Sequence, residues 1–358
     1  MIINEKQYAE SSTWNELRSQ PEVWQSVIRQ SRESEVTREI LGRSPGPKEW
    51  LFVGCGTSFY LAEAAAVSWT TLTGEPARPI PASEILLFPE LLQAGTTSKR
   101  AIVISRSGKT SEAVRAANVL RQTLRIPTIG ITCAANSELE QECDLSVVLR
   151  VADENSTVMT RSFTSMLVSL QVLAACRGGK QRLVDSLLRM AEKFSDQTGA
   201  MAEKMHAFVE QHRFADYVFL AQGAFHGIAR EAALKVMEMS CSYSQFFHTL
   251  EFRHGPKAIV SPATCLTFFL SETGKEAEGE VLGEMKELGG VIVAVCNEAN
   301  EQIRKAADLL IELNNPGEEI ALLAPFVVPC QLMGFFTGLQ KGLNPDQPKN
   351  LTRVVILD

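Results

Sequence analysis

The feature that most constrains the fold is an internal repeat, in which four segments recur in the same order about 165 residues later. Within each copy, apolar runs alternate with helical patterns, which is typical of a parallel sheet covered by helices on both faces. The sequence therefore predicts a duplicated α/β domain. The matched segments are Leu51–Gly56 with Tyr217–Gly223, Ser105–Thr110 with Ser271–Glu276, Ile129–Cys133 with Val291–Cys296, and Asp144–Val147 with Asp308–Ile311.

The repeat and the segments around it predict five parts of the chain. Its 358 residues are sufficient for two domains of ordinary size. The predicted parts are a helical arm at 1–42, a first α/β domain at 43–177, a helical linker at 178–214, a second α/β domain at 215–340 and a C-terminal tail at 341–358.

The net charge and the amino-acid composition argue against several classes of binding partner for this protein. The net charge of −7 argues against a general surface for nucleic acid or anionic lipid. The eight cysteines form no C-x-x-C pair, and four of them, Cys55, Cys133, Cys265 and Cys296, lie in or beside apolar runs. This pattern predicts buried free thiols in a reducing compartment. The N-terminus has no signal-peptide pattern, and we expect the apolar runs to be too short to span a bilayer. We therefore expect a cytoplasmic protein that binds neither nucleic acid nor membrane.

The first repeat carries a candidate anion site at 105–111, where an apolar run is followed by the sequence SRSGKTS and then by a helical pattern. A strand, a short loop and a helix in this order direct free backbone N–H groups and the positive end of the helix at one spot. Such a spot binds phosphate. A hydrophilic turn with a serine cap would have the same pattern. A nucleotide P-loop is excluded, because Val103 stands where that motif requires a glycine.

The second repeat differs from the first at this loop. Arg106 corresponds to Glu272, and Thr110 corresponds to Glu276. Two carboxylates at the mouth of the loop would repel a phosphate. We therefore expect the first copy to keep the anion site and the second to have lost it.

Acid–base candidates lie in the second repeat. Glu231, Lys235 and Glu238 share one face of a predicted helix at 224–240, although this spacing is also typical of a solvated face with ion pairs. His254 lies in a turn-forming segment that contains Gly255 and Pro256.

Cofactor motifs are incomplete. The pair Gly54-x-Gly56 lacks the third glycine of a dinucleotide fingerprint, because Phe59 stands in its place. No residue spacing indicates a metal site. We therefore expect neither a cofactor nor a metal.

Five short motifs occur in one order along residues 40–358, and together they carry a family resemblance. The chain resembles proteins with a double sugar-isomerase (SIS) domain. It is similar to the isomerase half of glucosamine-6-phosphate synthase and to stand-alone amino-sugar phosphate isomerases and deaminases. The resemblance implies two tandem flavodoxin-like SIS domains and a homodimer with shared active sites. The motifs are Cys55-Gly56-Thr57-Ser58, Ser105-x-Ser107-Gly108-x-Thr110, Ala233-Leu234-Lys235-x-x-Glu238, Arg253-His254-Gly255-Pro256 and Asp346-Gln347-Pro348-x-Asn350-Leu351.

The resemblance also implies roles for individual residues. Glu238 would shuttle the proton between C1 and C2 of the sugar, with Lys235 beside it. His254 would act in ring opening and, in the synthase, reaches across from the other subunit. The phosphate would be bound by Ser105, Arg106, Ser107 and Thr110, and the sugar by Gly56, Thr57, Ser58 and Thr160.

Two departures from the synthase matter for the chemistry. The tail that would lie over the active site has Arg353 where the synthase has a catalytic lysine. Arginine stays protonated and cannot form a Schiff base, so Lys349 is the alternative amine. The synthase also has an N-terminal glutaminase domain, and this chain has Met1-Ile2 at its start. We therefore expect no glutaminase activity.

The expected function is that of a phosphosugar aldose–ketose isomerase acting on a hexose 6-phosphate. An amino sugar is the expected substrate, with chemistry of the glucosamine-6-phosphate isomerase or deaminase type. Two alternatives stay open. One is a non-catalytic sensor of sugar phosphates, and the other is a deglycase of a glycated-amine 6-phosphate.

Overall fold

The computed structural model describes residues 8–42, 48–93 and 98–357. The described residues form two compact units. The first-sheet unit comprises those within 20–154, 161–189 and 352–358, and the second-sheet unit those within 1–19, 155–160 and 190–351. The Pro45-Gly46-Pro47 segment, beside the predicted boundary at 42/43, lies outside the described residues.

In the first-sheet unit, five parallel strands have the order β2-β1-β3-β4-β5, which is the flavodoxin-like order. A π-helical turn at Val119–Thr123 extends α7. The elements of this unit are α2 (Gln20–Glu33), α3 (Glu35–Gly42), β1 (Glu49–Gly54), α4 (Thr57–Thr73), β2 (Ala77–Pro81), α5 (Ala82–Leu87), α6 (Glu90–Gln93), β3 (Lys99–Ile104), α7 (Ser111–Asn118), β4 (Thr128–Thr132), α8 (Glu138–Glu142), β5 (Leu145–Val148) and α9 (Arg161–Arg177).

Residues of β1 alternate between the two faces of the sheet, because successive side chains of a strand point in opposite directions. Trp50 and Phe52 pack against Trp69 of α4, with ring centroids 4.4 and 5.7 Å apart. Leu51 and Val53 belong to the apolar cluster on the other face, under α5 and α7. Both faces are buried from Trp50 onward, and this part of the strand is apolar, as the sequence predicted for a parallel sheet.

The second-sheet unit repeats this topology. Its parallel strands have the order β10-β9-β8-β6-β7, which is the same flavodoxin-like order under the duplication. The predicted fold of two helix-covered parallel sheets is confirmed. The elements are α1 (Ser12–Arg18), α10 (Gln181–Gln211, of which residues from 190 belong to this unit), β6 (Asp216–Ala221), α11 (Phe225–Ser240), β7 (Tyr243–His248), β8 (Thr264–Phe269), α12 (Lys275–Glu287), β9 (Val291–Cys296), α13 (Glu301–Ala306), β10 (Leu309–Glu312) and α14 (Leu323–Gln340).

Helix α14 packs closely along α11 because two of its residues are glycines. A Cβ atom on Gly334 would lie 2.8 Å from the carbonyl oxygen of Lys235, and one on Gly338 would lie 2.3 Å from the carbonyl oxygen of Met239. Both distances are shorter than van der Waals contact, so any larger residue would push the two helices apart. The glycines therefore hold in place the helix that carries the acid–base candidates.

The segment Glu319–Gln340 is long and apolar enough to cross a membrane by length and composition. The expectation that every apolar run is too short for this was wrong. In its most apolar window, 94% of the residues are buried inside the protein. Such extensive burial is typical of a helix in the core of a protein.

All eight cysteines are free. Cys133, Cys265 and Cys296 are buried, as the sequence predicted, and Cys55 is half-buried. Burial raises the pKa of the Cys55 thiol to about 12, with Glu112 adding to the shift. The thiol is therefore protonated at neutral pH.

Candidate active site

The predicted phosphate loop follows β3 and ends where α7 begins, at Ser111. Its hydroxyl groups converge: Ser105 Oγ donates to Thr110 Oγ1 at 3.3 Å, and Ser107 Oγ accepts from the Lys109 N–H at 3.2 Å. Gly108 has φ of +59°, and a Cβ there would lie 2.2 Å from Ser137 Oγ. Only glycine fits this turn. The loop therefore presents hydroxyl and backbone donors at the start of a helix, which is the arrangement that binds phosphate.

The side chain of Arg106 contacts two other segments of the first-sheet unit. Its Nη2 donates to the carbonyl oxygen of Arg353 at 2.7 Å, and its Nη1 lies 3.7 Å from Glu154 Oε2. Both side chains are buried. The guanidinium thus links the loop to the tail and to a buried carboxylate, and its predicted role as a direct phosphate ligand stays a prediction.

The tail lies along the start of α7. Ser111 donates its backbone N–H to Val355 O at 3.2 Å, and Leu357 donates its N–H to Ser111 Oγ at 2.9 Å. Arg353 Nη2 donates to Asp153 Oδ1 at 2.7 Å. The guanidinium that replaces the expected lysine is therefore part of a surface ion pair that anchors the tail.

The predicted sugar-binding loop lies at the same sheet edge as the phosphate loop. It follows β1, the parallel neighbour of β3, so both loops leave the carboxyl ends of adjacent strands. Gly56 has φ of +52° at the start of α4, and Thr57 and Ser58 are buried in its first turn. The first-sheet unit thus brings Gly56, Thr57 and Ser58 to the edge that carries Ser105–Thr110.

In the second-sheet unit, the acid–base candidates form a buried ionic cluster on α11. Lys235 Nζ lies 3.3 Å from Glu231 Oε1 and 2.5 Å from Glu238 Oε2. Lys235 and Glu231 are fully buried, and 18% of the Glu238 side chain is exposed. The alternative of a solvated helix face is therefore wrong. Burial lowers the pKa of Lys235, but the two carboxylates outweigh it and the pKa is raised. Lys235 is thus a permanent cation beside Glu238.

A cavity of about 220 Å³ opens beside this cluster within the second-sheet unit. Glu238 and Lys349 both line it. The structure therefore places the predicted base and the predicted alternative amine around one space that is large enough for part of a sugar. The remaining lining residues are Met239, Cys241, Gly342, Leu343, Asn344, Gln347 and Pro348.

Two further candidates of this unit have different environments. His254 is exposed and follows a short 3₁₀ turn at Glu251–Arg253, where Arg253 pairs with Glu284 at 2.7 Å. Thr160 is fully buried, and its carbonyl accepts from Gln331 Nε2 at 3.3 Å. A hydroxyl contact from Thr160 to a sugar stays a prediction, as does the role of His254.

Sequence reasoning missed several residues of these sites. Asp153 and Glu154 follow the last strand of the first sheet and hold Arg353 and Arg106, respectively. Two adjacent acidic residues in a loop carry no signal of this role. Cys241 adopts a left-handed conformation with φ of +50° at the end of α11, and a glycine at this position would have indicated the turn.

Among the described residues, no group of three or more His, Cys, Asp or Glu side chains is placed to hold a metal ion.

Comparison with known proteins identifies the family. The SIS domain family matches residues 47–176 and 216–337, and the chain belongs to it. The glutamine–fructose-6-phosphate aminotransferase (isomerizing) of Pyrobaculum aerophilum is 28% identical over 318 residues, which are 86% of this chain and 51% of that protein. The chain thus spans about half the length of this relative.

Two solved structures extend the comparison. The glucosamine-6-phosphate deaminase of Thermotoga maritima is 28% identical, with a TM-score of 0.77 over 97% of this chain and 100% of that one. The tagatose-6-phosphate ketose/aldose isomerase of Escherichia coli shares the fold, with a TM-score of 0.86 at 21% identity over 98% and 96% of the chains. The relatives are phosphosugar isomerases and related enzymes.

Proposed function

We propose that this protein is an aldose–ketose isomerase of a hexose 6-phosphate. The observation that carries the proposal is the Lys235–Glu238 pair beside the cavity that Lys349 also lines. Isomerisation moves one proton between C1 and C2, and a single partly exposed carboxylate suffices for this transfer. Glu238 takes the proton from one carbon and returns it to the next through an enediol or enolamine.

The other charged groups have supporting roles. The Lys235 cation lies 2.5 Å from Glu238 Oε2 and stabilises the negative charge that develops on the substrate oxygen. Lys349 supplies a flexible amine at the same cavity. His254, in its exposed loop, assists ring opening. None of these steps requires a covalent imine with the protein.

The first-sheet unit supplies the phosphate anchor in this proposal. Ser105, Ser107 and Thr110 donate hydroxyl groups to the phosphate, together with the backbone N–H groups that precede α7. Arg106 and Arg353 hold the tail against this loop. The phosphate group is bound by these donors and takes no part in the proton transfer itself.

Glucosamine 6-phosphate is the proposed substrate. The similarity to the Thermotoga maritima deaminase extends over 97% of this chain and 100% of that one and supports an amino sugar. With this substrate, the ketose product carries an amine on C2 as an imine or enamine, and hydrolysis of that bond releases ammonia. The reaction is then a deaminating isomerisation.

Proton NMR in D₂O tests the proposal, with glucosamine 6-phosphate and fructose 6-phosphate offered separately. We expect exchange at C1 and C2 with glucosamine 6-phosphate, accompanied by ammonia release. Glu238→Gln should abolish the exchange and keep sugar-phosphate binding, whereas the exposed control Glu287→Gln should leave both unchanged. Binding without exchange in the unmodified protein would contradict the isomerase and favour a sensor.

A further inference from the structure

The loop that follows β8 in the second sheet holds a carboxylate of its own chain. Ser271 donates both its backbone N–H and its hydroxyl to Glu278 Oε2, at 2.7 and 3.0 Å. Glu278 is 1% exposed, and its other carboxylate oxygen accepts no hydrogen bond from the residues that the structure describes. A buried carboxylate therefore occupies the donors of a loop between a strand and a helix.

The neighbouring donors of this loop also face a carboxylate. The Glu272 N–H donates to Glu319, and Thr273 Oγ1 lies 3.5 Å from the second oxygen of that side chain. Two successive backbone N–H groups are thus taken by anions. The loop fits a carboxylate closely at Gly274, where a Cβ atom would lie 3.2 Å from Glu278 Oε2 and 2.8 Å from Ser271 Oγ.

The two copies of the loop differ in length, which explains why only one is filled in this way. Helix α12 begins at Lys275, four residues after Ser271, whereas α7 begins at Ser111, six residues after Ser105. The shorter loop brings the first turn of α12 back over Ser271, and Glu278 lies in that turn. In the longer loop, Ser105 Oγ instead donates to the hydroxyl of Thr110.

We propose that the loop Ser271–Gly274 is a second anion site of the phosphate-binding type, occupied by the Glu278 carboxylate, which a phosphate group enters when that carboxylate is removed. The phosphate class rests on the proposed function of the first loop. Each chain therefore keeps one loop for a sugar phosphate. In the second loop, the Glu278 carboxylate excludes phosphate by occupying its donors, and the charges of Glu272 and Glu276 add to this effect.

The pKa of the Glu278 carboxyl shows how far this group is removed from water. Burial raises that pKa to about 7, with Glu319 adding to the shift and the Ser271 hydrogen bonds opposing it.

Inorganic phosphate is the probe for the test, which uses the full chain with Ser107→Ala and Thr110→Ala to empty the first loop. Binding is measured by calorimetry and by ³¹P NMR. In this background, Glu278→Ala should give saturable phosphate binding at one site per chain, at least tenfold tighter than in the parent. Glu287→Ala is the control, because Glu287 is an exposed carboxylate at the other end of the same helix.

A folded Glu278→Ala protein that binds phosphate no better than the control would overturn the proposal and leave Glu278 as a helix cap only. If that variant does not fold, Glu278→Ser replaces it, because a serine side chain is too short to reach the Ser271 donors. Phosphate should then slow amide hydrogen exchange at 271–274 in Glu278→Ser but not in the parent, and equal exchange in both would count against the proposal. These readouts involve no turnover, so they are independent of whether the protein isomerises a sugar.

Discussion

Asp346 Oδ1 accepts the backbone N–H of Thr13 at 2.8 Å, so a side chain near the C-terminus caps the first helix of the chain. The Ser11 hydroxyl and the Ser12 N–H donate to the same carboxylate, at 3.0 and 3.2 Å. Three of the donors before and within the first turn of α1 are thereby satisfied. Because Gln347, Pro348 and Lys349 follow directly, the cap also fixes one wall of the cavity that contains Glu238.

Replacing Asp346 by alanine should therefore have two effects. The protein should lose about 1–2 kcal/mol of unfolding free energy, as expected for a lost helix cap. Turnover should also fall, because Lys349 is no longer held at the cavity. Urea unfolding and the D₂O exchange assay measure the two effects. Ser12→Ala keeps the backbone N–H that donates to Asp346 and should cost little, and an equal loss would argue against Asp346 as the shared cap.

Glu238→Gln should reduce turnover by about 10²–10⁴-fold, the usual contribution of a positioned acid–base group. The substitution keeps the shape of the side chain and removes its ability to accept a proton. Sugar-phosphate affinity should change little, since the phosphate loop is untouched. Steady-state kinetics separates the two quantities. A variant that keeps most of its activity would show that another group carries the proton.

Ser107→Ala combined with Thr110→Ala should weaken sugar-phosphate binding by about 2–4 kcal/mol, because two hydroxyl donors to a charged group are lost. Calorimetric titration with fructose 6-phosphate measures this loss. The free energy of unfolding should stay nearly constant. Unchanged affinity would place the phosphate at another part of the protein.

Gly338→Ala should destabilise the protein by about 1–3 kcal/mol, the usual effect of overpacking. The added Cβ would lie 2.3 Å from the carbonyl oxygen of Met239, so α14 must move away from α11. Gly199→Ala is the matched control, because no atom lies within 4 Å of its Cβ position within α10. That change should stabilise the protein by about 0.5–1 kcal/mol. Similar effects of the two substitutions on urea unfolding would contradict close helix packing.

The stability of the second-sheet unit should decrease as the pH rises toward neutrality. The pKa of Glu278 is raised from 4.5 to about 7 by burial. A raised pKa favours the folded state at low pH, and this contribution is lost as the pH rises from 4.5 toward 7, by about 3 kcal/mol in total. Unfolding at pH 5 and pH 8 should show this difference in the parent and in Glu276→Gln, but not in Glu278→Gln. Identical pH profiles in all three would refute it.

The repeat predicted both sheets because the alternation of apolar runs with helical patterns is a local property of the sequence. The orientation of α11 was harder to predict from the sequence. The spacing of Glu231, Lys235 and Glu238 shows that they lie on one side of the helix but not whether that side is buried in the core. Packing of α14 on α11 decides this, and it depends on Gly334 and Gly338, about 100 residues away.

Contacts between distant segments were beyond sequence reasoning. The hydrogen bond from Arg106 to the Arg353 carbonyl joins residues 247 positions apart, and a backbone acceptor carries no sequence signal. The carboxylate in the second loop was also missed, because a shift in where α12 begins decides whether Glu278 reaches Ser271.

The two units of the chain interleave along its sequence. Residues 155–160 belong to the second-sheet unit although first-sheet segments flank them, and residues from 352 onward belong to the first-sheet unit. No single cut therefore separates the two halves. The Asn155 N–H donates to Glu16 Oε1 at 2.5 Å, and the Ser111 N–H donates to the Val355 carbonyl in the tail. In each unit, hydrogen bonds thus join segments that lie far apart in the sequence. Each unit is therefore assembled from three separate stretches of the chain.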